Sequence, residues 1–428
     1  MRSDQRAEAL NQAPLPPATT RARIVLLLAA ALCINYVDRG NLATAGPMLE
    51  TELHLSKDQF GYLQSAFFIT YVIAMMPAGW LAERLGARRV LGVGVLIWSA
   101  ATLLTGFANG LLVLFLLRLL LGLGESVAFP SVSKLLAVVV PDSERGRANG
   151  KVSFGYLIGP AVGTLVGGFL MSRIGWRPVF VLFGCISLLW LWPWSRVRVA
   201  EPATTTLATA PATVPATEAP TDRQILKQRG LWGASLGHFA GNYNFYFILT
   251  WLPEYLVKAR GFSMDTMTAN VTTAYVINAV CARLMGTATD RWIRAGHSRD
   301  LIYKGAMALN HVTAIGCMAG MVLLPANGLL ACLFAFAAVT GISSPGYYAI
   351  PQTMAGPLAT GRWVGVQNTC GNIAGIIAPA MTGVLVVLAG GRYESAFALA
   401  AAMNLLGIAG WVFILPKIAP VNWKLQRS

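Results

Sequence analysis

The chain has 428 residues, of which 55% are hydrophobic and 12% charged, with a formal net charge of +15. Soluble globular domains average about 25% charged residues, so the composition excludes a soluble enzyme and reads as an all-α integral membrane protein. The positive surplus does not mark a nucleic-acid binder, because it collects on one side of the membrane, as the loops show.

Residues 1–22 are polar and Pro/Ala-rich without a signal-peptide core, and read as a disordered cytoplasmic tail. Apolar segments long enough to span, at about 20 residues each, begin near Ile24, Phe60, Val90, Leu111, Val152 and Val179. A second set begins near Leu231, Met267, Tyr303, Leu329, Val364 and Ser395. Twelve transmembrane helices follow, in two pseudo-symmetric six-helix bundles over 23–197 and 231–416. Between them, 198–230 is a low-complexity Ala/Thr/Pro linker assigned to the cytoplasm, and 417–428 form a second cytoplasmic tail. The six cysteines all fall inside apolar runs at unrelated spacings and read as small core residues, with no disulfide framework and no metal site.

Lys and Arg fix the orientation. With the amino terminus in the cytoplasm, about 23 basic residues lie on that side and about six on the other. Both termini are therefore expected inside, next to anionic lipid headgroups.

Two apolar helices carry opposite charges at depth. Helix 1 has Asn35-Tyr36-Val37-Asp38-Arg39, and helix 4 has Arg118 and Glu125, seven residues apart on one helical face. Each charge placed in a bilayer core costs on the order of 2.5–3.5 kcal/mol, so such residues are rare and usually functional. After helix 2 comes Gly79-x-x-x-Glu83-Arg84, followed by Arg88, and after helix 8 comes Gly286-x-x-x-Asp290-Arg291. Loops that merely obey the positive-inside rule would account for the arginines but not for the matching glycine and acid. The match points to a duplicated transporter fold.

With these motifs, the chain resembles the major facilitator superfamily over nearly its whole length. Gly79 to Arg89 resembles that superfamily's loop 2–3 motif, Arg118-x-x-x-Gly122-x-Gly124 with Pro130 its helix 4 motif, and Gly155-x-x-x-Gly159-Pro160-x-x-Gly163 its helix 5 motif. Within it, the chain is most similar to the anion:cation symporter family. That similarity rests on Asn35 to Arg39, Tyr71 to Leu81, Gly124 to Pro130, Phe247 to Leu256 and Gly371 to Pro379. The resemblance implies import of an organic anion, a sugar acid or related carboxylate, by proton symport and alternating access, in a bacterial cytoplasmic (inner) membrane. It implies a monomer with no cofactor beyond the coupling proton. By position it assigns proton coupling to Asp38 and Glu125. Substrate or gating roles fall to Arg39, Arg118, Tyr36, Tyr71 and Asn372, and a conformational role to Gly79, Glu83, Arg84, Arg88, Gly286, Asp290 and Arg291. The chain departs from some sugar-acid carriers in helix 5, where Gly155-Tyr156-Leu157 stands in place of a glutamine. An antiporter or exporter of the same superfamily is the alternative function.

The chemistry fits this reading. Asp38 and Arg39, adjacent on a helix, point about 100° apart and do not simply neutralise each other. A desolvated carboxylate tends to hold its proton and a nearby guanidinium opposes that, so an arriving anion and a proton favour each other's binding. Arginine stays charged and offers a planar fork to a carboxylate. The competing reading makes these four charges structural pairs between helices 1 and 4, with Arg118 held by Glu125 or by carbonyls. Asn372 is read as a substrate contact, Gln367 and Asn368 as packing, and Asn242, Tyr243 and Tyr246 as a gating cluster. His238 and His311 are read as packing residues rather than proton relays, and Arg283 snorkels or pairs with Asp290. No phosphate loop, metal-ligand cluster or nucleophile elbow is present, so no enzyme is expected.

Overall fold

The computed structural model describes residues 15–55, 57–199 and 219–423. Among these residues it contains twelve long helical segments and no strand. The first six are α1 Ala18–Glu52, α2 Lys57–Leu85, α3 Ala87–Thr105, α4 Leu111–Val139, α5 Asp142–Ile174 and α6 Trp176–Ser195. A one-turn helix, Asp222–Leu226, precedes α7 Arg229–Glu254, α8 Met264–Arg294, α9 Arg299–Leu323, α10 Ala326–Ala355, α11 Thr360–Leu388 and α12 Glu394–Ile414. Ten of the twelve are long and apolar enough to cross a membrane. The other two, α7 and α8, are as long but carry His238, Asn242, Asn244, Arg283 and Asp290. Large apolar side chains such as Leu112, Leu189 and Val387 cover the outside, whereas Asn35, Asp38, Glu125 and His311 are buried. This is the distribution a lipid solvent selects.

Helix α1 begins at Ala18, inside the stretch assigned to the amino-terminal tail. Pro17 sits at its N-cap, and Arg21 ties the first turn to α5 through Glu144 at 3.2 Å. The Ala/Thr/Pro part of the linker lies outside the described residues. Past α12 the chain runs back over the ends of α9 and α10. The Val421 N–H donates to the Met354 carbonyl at 2.9 Å, and Ile418 N–H to Asp300 at 2.7 Å.

Helix α5 is packed on two sides. One glycine face, Gly155, Gly159 and Gly163, lies directly on the α1 backbone, and the other, Gly146 and Gly150, lies on α8. The helix 5 motif is thus a packing stripe, since only a missing Cβ lets backbones approach this closely. The six-helix halves meet along α2–α11 and α5–α8, with the second half of α4 against α10 and α11.

Candidate functional site

Helix α4 is interrupted at Ser126–Val127, between the helical stretches Leu111–Glu125 and Ala128–Val139. Pro130 has no N–H for the Ser126 carbonyl, and its ring crowds that carbonyl, so the helix yields there. Glu125 stands at the break. Its Oε2 accepts from Arg39 Nε at 2.8 Å, and Glu125 is fully buried. The Arg39 guanidinium also lies over the rings of Tyr71 at 4.4 Å, Tyr36 at 4.5 Å and Phe67 at 5.1 Å. Arg118 covers the same Phe67 at 5.1 Å. Two cations therefore share one ring, and cation–π attraction of about 0.5–2 kcal/mol per contact offsets part of their desolvation.

Asp38 points away from Arg39, as its helical position requires. It is 2% exposed, and Glu125 and Arg118 are the charges that act on it. Thr102 on α3 and Asn35 on α1 approach Asp38 and Glu125, respectively, without reaching hydrogen-bond geometry. Among the described residues, Asp38 and Arg118 have no ion-pair partner of their own, and the Nη2 of Arg39 has no hydrogen-bond acceptor. The structural ion pair between helices 1 and 4 exists, but it uses only one acid and one base.

Next to this cluster, a cleft opens between the halves. Tyr36, Phe129 and Tyr156 line it from the first half. His238, Asn242, Phe245 and Tyr246 of α7, Tyr347 and Tyr348 of α10 and Asn372 of α11 line it from the second. Phe129 stacks on Tyr348 across the seam, with centroids 4.9 Å apart and planes at 11°. Helix α10 is broken at Ser344–Pro345 much as α4 is broken near Pro130, and Ser344 reaches the Tyr156 hydroxyl. Helix α11 is interrupted at Ile373, immediately after Asn372. Asn372 accepts from the Tyr246 hydroxyl at 2.7 Å and donates to the Asn368 carbonyl at 2.9 Å.

The duplicated motif acts at the side of the molecule where both described ends of the chain lie. Gly79 to Leu85 form the last turns of α2 rather than a loop. The reversal into α3 is made by Gly86 alone, at φ +88°. Such a φ is strained for any residue with a Cβ. Glu83, 2% exposed, accepts the Gly361 N–H at the start of α11 at 2.7 Å. Asp290 accepts the N–H groups of Gly146 and Arg147 at the start of α5, at 2.8 and 2.7 Å. Each acid thus caps a helix of the opposite half, meeting free amides and the positive end of the dipole. The glycine four residues earlier makes room. A Cβ on Gly79 would strike the Gly361 carbonyl, and one on Gly286 the Gly146 carbonyl. Asn149 and Gln352 exchange two further hydrogen bonds across the same seam, at 2.8 and 3.1 Å.

Sequence reasoning missed Lys134, which is 1% exposed. Its Nζ lies 3.0 Å from Glu83 Oε2 and donates to the Ala82 carbonyl at 3.0 Å. A lone lysine nine residues beyond Glu125 in the same apolar run was the available signal. Three other placements bear on the readings above. Arg283 bonds Thr287 at 2.7 Å rather than Asp290, whose oxygens the α5 amides already occupy. Arg84 and Arg291 are exposed, and Arg84 lies over the Trp80 ring at 3.8 Å, so neither arginine joins the acid in its own motif. Of the helix 7 cluster, Asn242 and Tyr246 line the cleft, but Tyr243 is buried in the core of the second half.

His238 lines the cleft and tilts onto Tyr347 at 4.9 Å. His311 is buried with Asn404, 2.8 Å away, which in turn pairs with Asn244. Gln367 donates to the Tyr347 carbonyl at 3.0 Å, which Pro351 leaves without an intrahelical donor.

The family model described as Major Facilitator Superfamily matches residues 28–379. The chain is 29% identical over 413 residues to the probable sulfoacetate transporter SauU of Cupriavidus necator, covering 93% of this chain and 94% of that protein. It is 27% identical over 428 residues to the D-galactonate transporter of Escherichia coli, covering 95% and 98%. Among solved structures, the proton:xylose symporter XylE superposes with a TM-score of 0.77 at 16% identity, over 96% of this chain and 99% of that one.

Proposed function

The chain belongs to the Major Facilitator Superfamily and is a multi-pass membrane transporter rather than an enzyme, and from that premise we propose that it imports an organic carboxylate by proton symport. The substrate class spans sugar acids and related carboxylates, and relatives named for sulfoacetate and D-galactonate support an anion. The membrane is the bacterial cytoplasmic membrane, with both termini inside.

One observation carries the reading. Asp38, Glu125, Arg39 and Arg118 are gathered beside a cleft between the halves, and only one acid–base pair is satisfied. The charges sum to zero. A monoanion that engages a guanidinium leaves one carboxylate in excess, and a proton on Asp38 or Glu125 restores neutrality. A second proton per cycle would make transport electrogenic, at about 2.3 kcal/mol per charge per 100 mV. The proposed roles of Tyr36, Tyr71 and Asn372 follow from place. The Arg39 guanidinium lies over the rings of both Tyr36 and Tyr71, and Asn372 lines the cleft. The polar seam of Glu83, Asp290, Asn149 and Gln352 closes the side bearing the termini, so alternation breaks these contacts and forms others at the opposite side.

The test is uptake of radiolabelled carboxylates into proteoliposomes under an imposed inward proton gradient, for wild type and Glu125→Gln. Gradient-driven accumulation, lost in the variant while counterflow exchange persists, is the expected result. Exchange indifferent to the gradient would overturn symport and leave the antiporter.

A further inference from the structure

Resting on the anion-transport reading, we infer that the cleft selects a flat aryl carboxylate over a polyhydroxylated sugar acid. Seven of its lining side chains are phenylalanine or tyrosine, with His238 among them. Tyr36, Phe129, Tyr156, Tyr348, His238 and Tyr347 form one connected set of ring contacts, and Phe245 packs edge-on against Tyr246. Tyr36 meets Phe129 edge-on at 89° and tilts onto Tyr156, and Phe129 lies parallel to Tyr348. Such faces and edges are complementary to a third aromatic ring.

Several polar groups of the cleft are spent within the protein. The Tyr246 hydroxyl is given to Asn372, that of Tyr348 to Asn368, and Tyr156 is bonded to Ser344. Thr340 donates to Asn310, and His238 meets Gln367 at 3.3 Å. Asn242, the Tyr36 and Tyr347 hydroxyls and His238 Nε2 hold no hydrogen bond among the described residues. A sugar acid would bring four or five hydroxyls that must all find partners among these few groups in an aromatic wall, and a buried hydroxyl without a partner opposes binding. An aryl carboxylate brings none. Once the cleft widens past Tyr36, this ligand's carboxylate would meet the Arg39 guanidinium, which lies over the Tyr36 ring and whose buried Nη2 has no acceptor.

The free space in the cleft is about 60 Å³, below the ~150 Å³ of a dry cavity that takes benzene. The cleft must widen for any ring, and a flat one demands the least.

The test uses the purified full-length chain and four probes: benzoate, galacturonate, sulfoacetate and benzyl alcohol. Binding is read by thermal shift and by competition against radiolabelled benzoate, followed by benzoate counterflow in proteoliposomes. Benzoate is expected to bind about tenfold or more tightly than the other three and to exchange. Phe129→Leu, which keeps an apolar side chain in the seam, should erase most of that preference, with benzoate binding falling further than galacturonate binding. Galacturonate or sulfoacetate binding as well as benzoate would overturn the aryl assignment while leaving organic-anion transport intact. Benzyl alcohol matching benzoate would overturn both, since the carboxylate would then not be recognised. Benzoate failing to bind would also overturn the aryl assignment.

Discussion

Arg39 is paired with Glu125, 86 positions away in the chain, and not with Asp38, its neighbour. The helical step between adjacent residues sends the guanidinium toward α4 and the carboxylate toward Thr102 on α3. One acid is thereby committed to an ion pair and the other is left without one, so the two acids should respond differently to neutralisation.

Asp38→Asn removes a buried charge that has no partner and should leave thermal stability unchanged or raised. Glu125→Gln strands Arg39, and breaking a buried pair costs about 3–5 kcal/mol, so its melting temperature should fall clearly. Both should lose gradient-driven uptake. Melting curves in detergent, set beside proteoliposome uptake, separate the two effects. Equal melting temperatures would remove the distinction drawn between the acids.

Arg39→Lys keeps the charge but loses the planar fork and the stacking on Tyr36 and Tyr71. Apparent affinity for the transported anion should drop roughly tenfold or more, since lysine does not replace arginine at a stacked, bidentate site. Concentration dependence of counterflow measures it, and unchanged half-saturation would remove Arg39 from the substrate's path.

The acid–amide contacts predict conformational effects from small substitutions. Gly79→Ala or Gly286→Ala places a methyl against the carbonyl of Gly361 or Gly146 and should hold the seam open on that side. Spin labels at Leu85 and Pro357, in a background with the six cysteines replaced, should move apart in Gly79→Ala. A distance distribution identical to the parent's would show that the seam closes without the glycine.

Lys134 and Glu83 should behave as a unit. Lys134→Met removes the Lys134 ion pair from Glu83 and keeps its Gly361 contact, a loss of about 3–5 kcal/mol by the usual cost of breaking a buried pair. Adding Glu83→Gln to Lys134→Met should recover a large part of it. A double-mutant cycle on melting temperature reads the coupling, and strict additivity would argue against the pair.

Outside the spans, Glu52 accepts from Trp176 Nε1 at 2.6 Å and Arg177 Nε at 2.9 Å. The Arg177 hydrogen bond, then that of Trp176, holds its carboxyl below the ordinary value of 4.5. With the folded state favouring the ionised form, the contribution is present above about pH 4.5 and is lost as pH falls through the lower folded value. Wild type and Glu52→Gln should therefore differ slightly in melting temperature at pH 7 and converge in acid. A gap that widened on acidification would reverse the sign.

The sequence by itself determined the helices, the duplication and the identity of the buried charges, because a bilayer punishes every exposed backbone group and every stray charge. Asp38, Glu125, Arg39 and Arg118 stood out for that reason, and so did the repeat of Gly79 and Glu83 in Gly286 and Asp290. What the linear pattern lacks is direction across the bundle. It left open whether Arg39 or Arg118 would take Glu125. It also left open whether Arg283 would snorkel or pair with Asp290, whose oxygens go to backbone amides of α5. It passed over Lys134, whose partner lies 51 residues earlier in the chain on α2. The cleft is also a tertiary fact. Phe129 and Tyr348 are 219 positions apart in the chain and unremarkable alone, and they become one wall only because α4 and α10 bend at their prolines and meet at the seam. Burial can be read from one helix at a time, whereas pairing and specificity depend on which faces two helices turn toward each other.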